Sequence, residues 1–146
     1  MPHHRILLTV ISAATVALAL TGCSAIEGAV YQRHSATYDD VGALADSELT
    51  ADWIPSDATN IRTVASTREK STDVVVLLDS AATLDPTVCA EIDRQSGPTL
   101  AIDGAPDVYA LDTAFACGEW TVAQADGGWY GWTPNHPDEQ AQSPGQ

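Results

Sequence analysis

Gly118-Glu-Trp-Thr-Val-Ala-Gln-Ala-Asp-Gly-Gly-Trp-Tyr-Gly-Trp-Thr133 reads as a β-hairpin. Its arms are Gly118 to Gln124 and Trp129 to Thr133, and Ala125-Asp126-Gly127-Gly128 makes the turn, where glycine after aspartate supplies the positive φ that tight hairpins need. Alternation along the second arm sets Trp129 on one face and Tyr130 and Trp132 on the other. In a chain poor in leucine, such rings fill a core. A row left uncovered would instead stack on sugar rings or anchor a protein, which makes Trp129, Tyr130 and Trp132 a candidate ligand surface.

Working outward, Asp73-Val-Val-Val-Leu-Leu-Asp79 places five consecutive apolar residues between aspartates, the pattern of a central strand buried on both faces. The β-branched run Ile61 to Ser66 precedes it by six residues, so the two are expected to pair as an antiparallel hairpin. Next comes a predicted helix: Asp85 as N-cap, Pro86 at the first helical position, and Leu84, Val88, Cys89 and Ile92 as an apolar stripe, stopped by Gly97-Pro98. A short strand is expected at Asp107 to Leu111. Over Tyr38 to Leu49, Asp39 or Asp40 can cap a second helix with Val41, Leu44 and Ala45 on one face.

The two ends read differently. Residues 1 to 22 combine the basic start Met1-Pro-His-His-Arg5 with the apolar run Ile6 to Leu20, too short to cross a bilayer comfortably. Leu20-Thr21-Gly22-Cys23 resembles the lipobox of bacterial lipoproteins, in which the cysteine sulfur takes a diacylglycerol and the peptide bond before it is cut. That resemblance implies a signal peptide at 1 to 22, lipidation of Cys23, and a chain held on the outer face of the cell membrane by its acyl chains, of which two suffice for a stable anchor. An ordinary secretory signal is the alternative. Residues 23 to 37 are then a lipidated tether and 38 to 133 a small domain with its core in 51 to 133. The tail from Pro134 onward (134 to 146), with three prolines and no large apolar side chain, is expected to be disordered.

With Cys23 lipidated, Cys89 and Cys117 remain as an even pair in an oxidising compartment, which suggests a disulfide. A metal pair or a reactive thiol is less well supported, since no C-x-x-C occurs and no histidine lies between residues 35 and 135. The expected fold is α+β: a small, mostly antiparallel sheet of four or five strands, one or two helices packed on it, and one disulfide. Trp53-Ile-Pro-Ser-Asp-Ala-Thr-Asn-Ile-Arg62, together with the Gly118-Glu-Trp to Trp132-Thr-Pro134 stretch, is similar to small uncharacterised envelope lipoproteins of high-GC Gram-positive bacteria. This likeness implies an address and no mechanism.

Six Lys and Arg against 20 Asp and Glu give the 146 residues a formal charge of −14, which opposes binding to a phosphate backbone and so argues against nucleic acid as a partner. From residue 24 onward only 22 side chains are Val, Leu, Ile or Phe, a warning of disorder that weakens in 51 to 133, where 17 of them join all four tryptophans. Chemistry is sparse. His34 in the tether and His136 in the tail are poorly placed as bases, and no G-x-S-x-G elbow occurs. Asp79, Asp85, Asp103, Asp107, Asp112 and Glu119 near loops are candidates for a carboxylate pair, although a solvated acidic surface accounts for them as well. Neither an ordered calcium loop nor a glycine-rich phosphate loop is present, so no metal or cofactor is called for.

These residues favour a non-catalytic binding or interaction module, anchored to the membrane through Cys23 and meeting an envelope protein or glycan. A carboxylate-dependent enzyme acting on envelope polysaccharide and a purely structural envelope component are the alternatives.

Overall fold

The computed structural model describes residues 31 to 145. The expected signal peptide, Cys23 and residues 24 to 30 of the tether lie outside the described residues. Within them the fold is mostly β, with seven strands: β1 Arg33–Asp40, β2 Thr59–Ser66, β3 Val74–Asp79, β4 Ala90–Asp93, β5 Thr113–Cys117, β6 Trp120–Ala125 and β7 Gly128–Thr133. Two short helices, α1 Val41–Ala45 and α2 Pro137–Gln140, and a 3-10 turn at Val108–Ala110 complete it. The strands form one sheet in the order β1-β2-β3-β7-β6-β5-β4. Every neighbouring pair is antiparallel.

Both expected hairpins are present. Val64 stands opposite Val75 in β2–β3, and Ala125 opposite Gly128 in β6–β7, where Gly127 adopts φ +74° in the turn. Consecutive residues of β3 enter two different cores. Val76 and Leu78 join Trp53, Ile61, Trp120 and Trp129 on one face, while Val75 and Leu77 join Val64, Val108, Tyr130 and Trp132 on the other. Helices cover little of either face. Irregular chain does so instead: the segment carrying Trp53 closes the first face, and the one carrying Leu100, Ile102 and Val108 closes the second.

Three expectations are corrected. The predicted helix after Asp85 is a single turn followed by β4. Asp85 does cap, accepting from the Thr87 N–H at 2.8 Å, and its carbonyl takes the Val88 and Cys89 N–H groups at 3.0 and 2.9 Å. Then Ala90 to Asp93 joins the ladder instead, with Ile92 opposite Ala114, because pairing with β5 buries the β-branched Ile92. The strand expected at Asp107 to Leu111 is the 3-10 turn, capped by Asp107, and pairing begins only at Thr113. Finally, four or five strands is too few: β1 occupies Arg33 to Thr37 of the expected tether and Tyr38 to Asp40 of the helix predicted over Tyr38 to Leu49, leaving only α1 of that helix, with Asp40 accepting from the Ala43 N–H at 2.9 Å.

Cys89 and Cys117 form a disulfide with their Cα atoms 4.3 Å apart. It links the residue before β4 to the last residue of β5, just beyond the Ala90–Ala116 pair. Closing a loop over 28 residues restricts the unfolded chain by roughly 3 to 4 kcal/mol. Cys89→Ser with Cys117→Ser is expected to lower the unfolding free energy by about that amount, read from the urea midpoint at constant slope. An unchanged midpoint would show the bond to be absent in the folded protein.

Candidate functional site

A groove of about 730 Å³ opens where β3 ends and β7 begins. Asp79 pairs with Gly128 at its floor, the Ser80 N–H donates to the Gly127 carbonyl at 3.0 Å, and exposed Thr59, Thr83 and Gln124 stand around it with the edge of Trp129. The loop after β3 is held firmly. Asp57 accepts from the Ser80 hydroxyl at 2.5 Å with one oxygen and from the Ala81 and Ala82 N–H groups at 3.0 and 3.1 Å with the other. Trp129 Nε1 donates to the Ala82 carbonyl at 3.0 Å on the same loop.

The Ser80 hydroxyl is the main reason that the Asp57 carboxyl titrates below its ordinary value; desolvation opposes it and the two backbone donors reinforce it. With both oxygens engaged, Asp57 is a clamp for the loop. Asp79 differs: its side chain is exposed and receives only the Asn60 amide, at 3.2 Å, among the hydrogen bonds seen. It remains open to a ligand's hydroxyl groups. Asn60 has φ +48° and sits in the irregularity between Thr59 and Arg62, where β2 departs from β3 and widens the groove.

The expected aromatic ligand surface is not formed. Trp129, Tyr130 and Trp132 are 9%, 1% and 1% exposed, and the alternation between faces holds, with Trp129 against Phe115 in one core and Tyr130 against Trp132 in the other. Burial pushes the Tyr130 hydroxyl up to about 12, with Tyr109 adding to the shift. A sheet covered on both faces leaves no side for a row of rings to remain open. Trp129 borders the groove, and Tyr130 borders a cavity of about 280 Å³ beside Leu100 and Val108.

The candidate carboxylates are dispersed. Asp79 lies in the groove, Asp85 and Asp107 cap turns, Asp103 and Asp112 lend their carbonyls to Arg62 and Arg94, and Glu119 borders a separate cavity of about 310 Å³ near the disulfide. No group of three or more His, Cys, Asp or Glu able to hold a metal occurs among the described residues.

Sequence reasoning missed Glu139. The segment expected to be a free tail contains α2, and the Glu139 side chain is fully buried. Its Oε1 accepts from the Gln95 and Ser96 N–H groups at 2.7 and 2.9 Å. Its Oε2 accepts from the His136 N–H at 2.9 Å, the Thr121 hydroxyl at 3.0 Å and the Ser96 hydroxyl. Trp132 Nε1 donates in turn to Ser96 Oγ at 2.9 Å, so one polar network ties tail, sheet and covering segment together. The signal was present as His136-Pro137-Asp138-Glu139, proline at N1 inside a reciprocal capping box with histidine in the serine's place.

No protein-family model matches the chain, and neither a curated protein nor a solved structure shows significant similarity to it.

Proposed function

We propose that the chain is a lipid-anchored, non-catalytic binding module at the outer face of the membrane, and that the groove at the end of β3 takes a hydroxyl-rich envelope ligand such as a glycan segment. The groove carries this reading. Its size suits a small ligand, its loop is fixed by Asp57 and Trp129 before anything binds, and exposed Asp79, Thr59, Thr83 and Gln124 offer hydrogen-bond acceptors and donors. The lipobox-like Leu20-Thr21-Gly22-Cys23 supports the address.

The enzyme reading needs a carboxyl held protonated as general acid. Of the two carboxylates that line the groove, Asp57 is engaged by the Ser80 hydroxyl and the Ala81 and Ala82 N–H groups, so Asp79 has no free partner carboxyl there, which supports binding over hydrolysis.

The test is titration of the processed protein with envelope polysaccharide fragments, comparing Asp79→Ala and Gln124→Ala with the parent. Each variant is expected to weaken binding about tenfold with an unchanged melting temperature, since both side chains are exposed. Full affinity in both variants would remove the groove from consideration; cleavage of the fragments would restore the enzyme reading.

A further inference from the structure

Resting on the lipid anchor proposed above, we infer that the sheet end built from the start of β1 and the β2–β3 loop faces the membrane and binds the anionic headgroups of the bilayer that holds Cys23. Charge on this molecule is strongly segregated. Residues 31 to 35 and the β2–β3 loop, 67 to 73, carry Arg33, Arg68 and Lys70 against Glu69 and Asp73, a local net charge of +1. Elsewhere among the described residues, Arg62 and Arg94 face 17 acids, which are all the Asp and Glu of the chain except Glu27, Glu69 and Asp73. Near an anionic bilayer such a body is repelled in every orientation but the one that presents its basic end.

That end is a built surface. The Thr67 N–H donates to the Gln32 carbonyl at 2.7 Å and Arg68 Nε donates to Gln32 Oε1 at 3.0 Å, so the loop is fastened to the incoming chain. The Arg33 guanidinium lies over the Tyr31 ring, 5.0 Å from its centre. Tyr31 is 60% exposed, and an exposed tyrosine among basic side chains suits the headgroup layer, where its ring and hydroxyl meet apolar and polar surroundings together. Arg68 and Lys70 are exposed beside it.

The other exposed tyrosine, Tyr109, also has an arginine over it, Arg94, but the sequence next to that pair carries Asp93, Asp107 and Asp112 and no further basic residue. The two ends are therefore chemically distinct. Arg33 follows Cys23 by ten residues, a reach of about 35 Å at most when fully extended. Held that close, the basic end meets the surface repeatedly, within a screening length of about 8 Å at each encounter.

The experiment reconstitutes the processed protein, extracted from membranes, into vesicles of phosphatidylcholine alone or with phosphatidylglycerol. The mass of the Cys23 peptide is read first, then amide exchange over residues 67 to 72. With Cys23 acylated, exchange is expected to slow only on the phosphatidylglycerol vesicles, to recover in high salt, and in Lys70→Glu to lose at least about fivefold of the protection. Salt acts on the unaltered chain, so the test survives a variant that folds poorly. Acylated protein with equal exchange on both vesicles overturns the membrane-facing surface and leaves the anchor standing. An unmodified Cys23 overturns the anchor, and the surface with it, because three basic side chains alone hold a protein too weakly.

Discussion

Glu139→Ala is expected to lower the unfolding free energy by about 3 to 5 kcal/mol, read as a fall in urea midpoint at constant slope. Five donors converge on that carboxylate, which is itself fully buried, and truncation removes the acceptor of all five. Backbone groups of Gln95, Ser96 and His136 have no second acceptor nearby among the hydrogen bonds seen, so most of the desolvation cost is felt. Glu139→Gln keeps the shape but turns an NH₂ towards donors, and is expected to cost roughly 2 kcal/mol. A change under about 1 kcal/mol for Glu139→Ala would mean that α2 does not dock.

The same site sets a pH dependence. Burial alone would raise the Glu139 pKa, but the Ser96 hydroxyl and the Gln95, His136 and Ser96 N–H groups outweigh it and leave it below its ordinary value of 4.5. A carboxyl whose pKa falls on folding stabilises the fold fully above the unfolded value and loses that contribution as pH drops through the folded one. Stability is therefore expected to decline on acidification below about pH 4.5, more steeply in the parent than in Glu139→Gln. Some slope persists in the variant, since Asp73 is lowered as well by the Ser71 and Thr99 hydroxyls.

What the sequence displayed, and what it hid, follows from how far each signal reaches along the chain. The runs Ile61 to Ser66, Asp73 to Asp79 and Gly118 to Thr133 carry their own evidence, because apolar alternation and a turn between neighbours are both local. They became β2, β3, β6 and β7. Ala90 to Asp93 has four residues and a stripe that suits either period, and only its ladder with β5 decides for the strand. Likewise Arg33 to Asp40 is an exposed edge, so it carries no apolar pattern to read. The groove was least visible of all: Asp57, Asp79 and Trp129 are remote in sequence and meet only through the sheet order. Compositional reasoning failed at the tail for a physical reason, that one buried carboxylate with five donors replaced the apolar contacts expected of an ordered segment.

Gly128→Ala is expected to be the most damaging single methyl in the hairpin, costing roughly 4 kcal/mol or preventing the fold. A Cβ there would stand 2.0 Å from the Leu78 carbonyl oxygen and 2.9 Å from the Asp79 Cα and Ser80 N, all backbone of the strand it pairs with. Main chain within a ladder has nowhere to go. At Gly131 the obstacle is a side chain, since the Cβ would meet Trp53 Cζ2 at 2.4 Å, and relief requires the buried indole to move by about 1 Å against Trp120. Gly131→Ala is expected to cost about 2 to 3 kcal/mol. Gly127 has open space around it and only its φ of +74° to satisfy, so Gly127→Ala is expected to cost about 1 kcal/mol. Melting curves of the three variants thus rank contact above conformation. Were Gly127→Ala the worst, the turn would govern the hairpin, and β7 would have to lie further from β3 than the Asp79–Gly128 pairing allows.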